Sequence, residues 1–145
     1  MRTIEEVEAD MVECRTHIKE AWAAHAKTYP YDGPLSPTPP GSLDASREIG
    51  RKFGDPYEVL HWELYELLDA RDEAAGIRLR TREELNKEAT EASRTLHELV
   101  IDWFDEDEKD AFFACNERYL ALLQEVERAD RRETLAEKEA ARAEV

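Results

Sequence analysis

Carboxylates and imidazoles are the groups in this sequence with chemistry to offer, and their spacing limits what that chemistry is. Glu58 and His61 form an ExxH pair, one helical turn apart. Glu63 with Glu66, and Glu88 with Glu91, are acid pairs at the same spacing. A metal site needs three or four ligands converging at ~2.0–2.2 Å on one point. Nothing in the positions of His17, His25, His61 and His97 forces such convergence. His25 falls on an apolar seam and reads as a core or near-core histidine with a hydrogen-bond partner. Cys14 and Cys115 lie on apolar helix faces, without CxxC or zinc-finger spacing, and read as buried reduced thiols. There is no glycine-rich phosphate loop and no nucleophile elbow. No metal and no other cofactor is expected.

Two all-α families use such residues in fuller sets. Ferritin-like di-iron proteins carry the ExxH pair twice, with further glutamates on the remaining helices. Here it occurs once, and Glu58 points away from the leucines of its own segment, so a surface hydrogen bond or ion pair is the plainer reading. The acid pairs resemble those that all-α nucleotide pyrophosphohydrolases of the MazG type place on adjacent helices to hold magnesium. Neither pair falls on an expected inner face. The resemblance reaches fold class, which does not carry function. A metal-dependent nucleotide pyrophosphohydrolase is therefore the alternative, not the leading, reading.

The elements that must position these residues are helices. Thr3 and Glu6 make a capping box for a first helix whose Ile4, Val7, Met11, Cys14, Ile18, Ala21 or Trp22, and His25 recur in steps of three and four. Pro30 ends it. The segment 30–42 holds five prolines and predicts an extended surface connection. A short helix over 43–54 should stop at Gly54, and a third should start with Asp55 as cap and Pro56 at its first position. It should run to about Ala75, with Gly76 as its stop. Thr81 and Glu84 predict another capping box. Beyond it Leu85, Ala89, Ala92, Leu96, Leu99 and Trp103 share one face. Asp105 or Asp107 should cap the last helix, which presents Ala111, Phe112, Cys115, Tyr119, Leu122, Leu123 and Val126. The expectation is an all-α protein of four main helices in an antiparallel bundle, with one short extra helix and a Pro-rich connection. Residues 1–129 form one domain on this reading, and 130–145 form a charged helical tail, partly detached.

With 145 residues, 20 Lys and Arg against 35 Asp and Glu, the net charge is −15. That field opposes direct binding of nucleic acid or an anionic membrane and attracts basic partners. No apolar run approaches the ~20 residues of a membrane span. The N-terminus carries acids where a signal peptide would be hydrophobic, so a cytoplasmic location is expected. Arginine outnumbers lysine and alanine is plentiful, a composition of GC-rich genomes that suits a phage- or prophage-borne protein.

On a helical wheel the third helix gathers Tyr57, Leu60, Leu64, Leu67 and Leu68 on one side. Trp62 lands near the opposite side, among Glu58, Tyr65, Glu66, Asp69, Asp72 and Glu73. An indole left in water is a large apolar area to cover, and Trp and Tyr are frequent interface anchors. Three covers are open: the proline-rich loop, a second copy in a homodimer, or a foreign partner. The leading expectation is a non-enzymatic protein-binding module, an inhibitor or adaptor. It would dock through Trp62, Tyr65, Glu58, Glu66, Asp69 and Asp72, with Asp105, Glu106, Asp107 and Glu108 as a second acidic patch. Spaced carboxylates compete for sites that hold phosphates, so a nucleic-acid-processing protein is the partner in view. A self-assembling structural component is a further alternative.

Overall fold

A computed structural model describes residues 2–31, 33–99 and 105–144. The protein is all-α, with no strand among the described residues: four main helices, α1 (Ile4–Thr28), α3 (Asp55–Ala74), α4 (Arg82–Glu98) and α5 (Glu106–Ala143), and the short α2 (Ser42–Ile49). None of them is long and apolar enough to cross a membrane. Contacts divide the chain into two compact units, residues 1–75 and 76–145.

In the first unit α1 packs antiparallel along the run from α2 to α3. His25 meets Ser42 and Ser46, His17 meets Phe53, and Arg2 meets Glu63. The capping box forms as expected, with Thr3 Oγ1 accepting the Glu6 amide at 3.2 Å and Glu6 accepting the Thr3 amide at 3.1 Å. The apolar seam of α1 is inward: Val7 and Met11 are buried, and Ile4, Cys14, Ile18, Ala21 and His25 are half-buried. Trp22, the other candidate at that step, is exposed.

The helix stop expected at Gly54 does not occur. Residues 50–54 form a π turn that joins α2 to α3, with the Asp55 amide bonded to the Gly50 carbonyl. Asp55 makes no side-chain cap. Pro56 supplies the physical reason. Its missing N–H and its ring bar the ordinary bond to the carbonyl four residues back, and a wider turn carries the helix past it. The proline-rich connection leaves and returns at one end of the unit. Its return depends on Gly41, whose φ of +82° suits glycine and whose open side lies 3.5 Å from the Tyr29 hydroxyl. Leu35 at its tip is fully exposed. Gly76, at φ +73°, stops α3 just past its Ala75 cap, as expected.

In the second unit α4 and α5 pair antiparallel, with Arg118 on Glu88 and Arg82 on Asp130. Leu85, Ala89, Ala92, Leu122 and Ala129 form its core, with Tyr119 and Val126 packed against it. Trp103, expected on the same face of α4, lies outside the described residues. Thr81 caps α4 by accepting the Glu84 amide at 3.2 Å, but the Glu84 carboxylate turns to Arg78. Asp105 caps α5, its Oδ1 accepting the amides of Asp107 and Glu108 at 3.0 and 3.3 Å. The boundary expected at 129/130 falls inside α5. Ala129 is fully buried, Asp130 binds Arg82 at 2.6 Å, and Arg132 donates to the Arg80 carbonyl at 2.7 Å. Residues 131–135 are half-buried, and every described side chain from Ala136 onward is exposed.

Candidate functional site

The face of α3 proposed for docking is turned differently from the wheel. Tyr65, expected outward, is its one buried residue, 6 % exposed. Trp62 is half-buried rather than open, its ring 5.7 Å from that of Tyr65 and 5.9 Å from that of His61. Tyr57, His61 and Tyr65 make a row at steps of four, and His61 Nε2 shares a hydrogen bond of 2.6 Å with the Tyr65 hydroxyl. This bond meets a polar need that would otherwise hold Tyr65 at the surface. Asp69 is half-buried, and the Asp72 side chain is only 13 % exposed beside Arg71. Glu58 and Glu66 remain exposed, as the sequence suggested. Of the six residues, two are therefore on open surface and four are buried or half-buried.

The second patch is partly structural. Asp105 is the α5 cap, and Glu106 pairs with Lys109 at 3.1 Å. Acids in this first turn also oppose the positive end of the helix dipole.

The acid pairs are held by arginines. Arg2 Nε donates to Glu63 at 3.0 Å and its guanidinium also pairs with Asp10. Glu88 receives both Arg80 and Arg118, the latter at 3.0 Å. The hydrogen bonds from Arg2 and from Arg80 with Arg118 hold the Glu63 and Glu88 carboxyls below the usual range. Glu66 and Glu91, the other members, are exposed. Among the described residues no group of three His, Cys, Asp or Glu is placed to hold a metal ion. Glu58 and His61 likewise part company, because His61 bonds Tyr65. The two thiols are half-buried, not buried, and Cys115 Sγ lies 3.7 Å from the Ala92 carbonyl.

His25 fits its sequence reading. Its Nε2 lies 3.2 Å from the Ser42 carbonyl and 3.2 Å from Ser46 Oγ, with Trp22 meeting its ring edge-on and the tilted Tyr29 ring beside it.

Glu84 shows what these pairs do for the fold. The Arg78 fork grips it at 2.9 and 2.8 Å and pushes its pKa down to about 2. A carboxylate depressed by folding stabilises the protein above its unfolded value and loses that contribution as pH falls through the folded one. The stability difference between the wild type and Glu84→Gln should be full above about pH 4.5 and vanish toward about pH 2. Parallel urea titrations across that range check it. A constant difference would assign Glu84 another role.

What sequence reasoning missed is a gradient of charge along the first unit. Antiparallel pairing brings residues 2–14 and 56–74 to one end, where eleven carboxylates face only Arg2 and Arg71. Residues 15–31 and 33–55, at the other end, carry four carboxylates against six lysines and arginines. The signal was present in the sequence but became visible only once the pairing of α1 with α3 was known.

Comparison with protein families, curated proteins and solved structures finds no match to this chain. The class is defined by fold and charge: an acidic all-α protein of two helical units.

Proposed function

We propose that the protein is a non-enzymatic binding module, an inhibitor or adaptor that docks on a basic protein through the acidic end of its first unit. The charge gradient along α1 and α3 carries this reading. A field concentrated at one end steers and orients a cationic partner, whereas evenly spread charge only keeps a protein soluble. Glu58, Glu66 and Glu73 are the exposed carboxylates of α3 at that end, and Glu5, Glu6 and Glu8 are those of the first turns of α1. The role given to Trp62 and Tyr65 changes: they hold the surface rather than form it. A partner whose groove normally takes phosphates suits spaced carboxylates best, which favours a nucleic-acid-processing protein.

The test is capture from host extract at low and high salt, with two charge-matched triple variants. Glu58→Lys, Glu66→Lys, Glu73→Lys should lose the captured basic protein by about tenfold or more, and salt should release it from the wild type. Glu91→Lys, Glu117→Lys, Glu139→Lys, which alters exposed acids of the second unit by the same charge, should retain it. Equal loss in both, salt-independent capture, or no salt-released partner would overturn the reading.

A further inference from the structure

The second unit contains a groove of opposite character. It is about 510 Å³ in volume and is lined by Asn86, Ala89, Thr90, Ser93, Arg94 and His97 of α4 with Tyr119 and Leu123 of α5. About a quarter of all residues in the chain are Asp or Glu, yet none lines this groove. Arg78, Arg80, Arg82 and Arg118 of the same unit all grip carboxylates, whereas Arg94 is exposed and bonded to none among the described residues. Space exists because position 89 is an alanine, buried at 5 %, so no long side chain fills the gap between the helices. The polar wall runs from Asn86 to His97, eleven residues or ~16 Å of helix. The other wall is a phenol and an isobutyl group one turn apart.

We infer that this groove binds a small organic anion, one with a carboxylate or phosphate head and an aromatic or alkyl body. The guanidinium of Arg94 supplies a planar fork that matches such a head. Tyr119 and the 41 % exposed Leu123 supply apolar surface for the body. Other groups complete the wall. Thr90 Oγ1 already donates to the Asn86 carbonyl at 2.8 Å, leaving its lone pairs as acceptors. His97 Nδ1 bonds the Ser93 carbonyl at 2.7 Å, which assigns its proton to that nitrogen in the neutral ring and leaves Nε2 as an acceptor. Thr90 and His97 lie seven residues apart, ~10 Å of helix, so a donor on the ligand body would meet one or the other. The groove volume falls in the range of small-molecule sites. This site lies wholly within residues 86–123 and does not rest on the acidic end of the first unit.

Phenyl phosphate, inorganic phosphate and benzyl alcohol are the probes, titrated into the full chain and followed by amide NMR shifts. Phenyl phosphate should give saturable shifts confined to residues 86–97 and 119–123. Inorganic phosphate should bind about tenfold more weakly or less, and benzyl alcohol should not saturate. Arg94→Gln should weaken phenyl phosphate by about tenfold with an unchanged melting curve, because Arg94 makes no ion pair that the fold needs. Leu123→Gln, an exposed position, should weaken phenyl phosphate and leave inorganic phosphate unaffected. Three outcomes would overturn the inference: no saturation, inorganic phosphate as strong as phenyl phosphate, or Arg94→Gln indistinguishable from the wild type.

Discussion

Tyr65→Ala is expected to cost about 3–5 kcal/mol of stability, the range for deleting a large buried aromatic. Tyr65 is the one buried side chain of α3, in a unit whose other buried residues are Val7 and Met11. Removing it takes away the ring against which Trp62 and His61 pack, at 5.7 and 4.6 Å between centroids. It also removes the hydroxyl that bonds His61. Tyr65→Phe keeps the ring and loses only the hydroxyl, so it should cost about 1 kcal/mol, the net worth of a typical hydrogen bond. In a unit of this size each kcal/mol shifts Tm by about 4–8 °C, so the two variants separate cleanly by thermal or urea unfolding. An alanine variant that melts like the wild type would return Tyr65 to the docking surface.

That contrast shows where the sequence was legible and where it was not. Element types, the Thr3 box, the Thr81 and Asp105 caps, Gly76, and the seams of α1 and α4 follow from local rules. Each depends on residues within one or two turns, so the sequence alone specifies them. The inward face of α3 does not. A wheel weighs Leu60, Leu64, Leu67 and Leu68 by hydrophobicity and sets Tyr65 outside with the acids. In the structure those leucines are only half-buried. The deepest position goes to a tyrosine whose polar end is met four residues back by His61. A wheel has no means of scoring that pairing, because it treats each side chain alone. The π turn is hidden for a similar reason. Pro56 after Asp55 is a good helix start in isolation, and only the continuity of residues 42–74 turns the same proline into the cause of a wide turn. The candidate site inherits both errors. Of its acids the sequence singles out Glu58 and Glu66 but not Glu5, Glu6 and Glu8, because their gathering at one end depends on which helix α1 pairs with.

In the second unit the largest expected effect is at Leu122. The register set by Arg118 on Glu88 and by Cys115 near the Ala92 carbonyl brings Leu122 level with Leu85. These are the two large residues of a core otherwise made of Ala89, Ala92 and Ala129. Alanines allow the helices to approach closely but bury little area, so Leu85 and Leu122 are the large buried side chains of this core, with Tyr119 and Val126 packed against it. Leu122, 5 % exposed, cannot be shortened without a void. Leu122→Ala should therefore cost about 3–5 kcal/mol, the upper part of the range for such deletions. The ion pairs of Arg82 and Arg118 will not rescue it. They are at the surface, where each contributes little. Adding salt should therefore leave the defect nearly unchanged. Leu122→Met, which conserves volume, should cost less than about 1.5 kcal/mol. Urea unfolding of the three proteins at two salt concentrations decides the matter. A mild Leu122→Ala, or a defect that grows with salt, would mean that charge pairs rather than the leucine contact hold the second unit together.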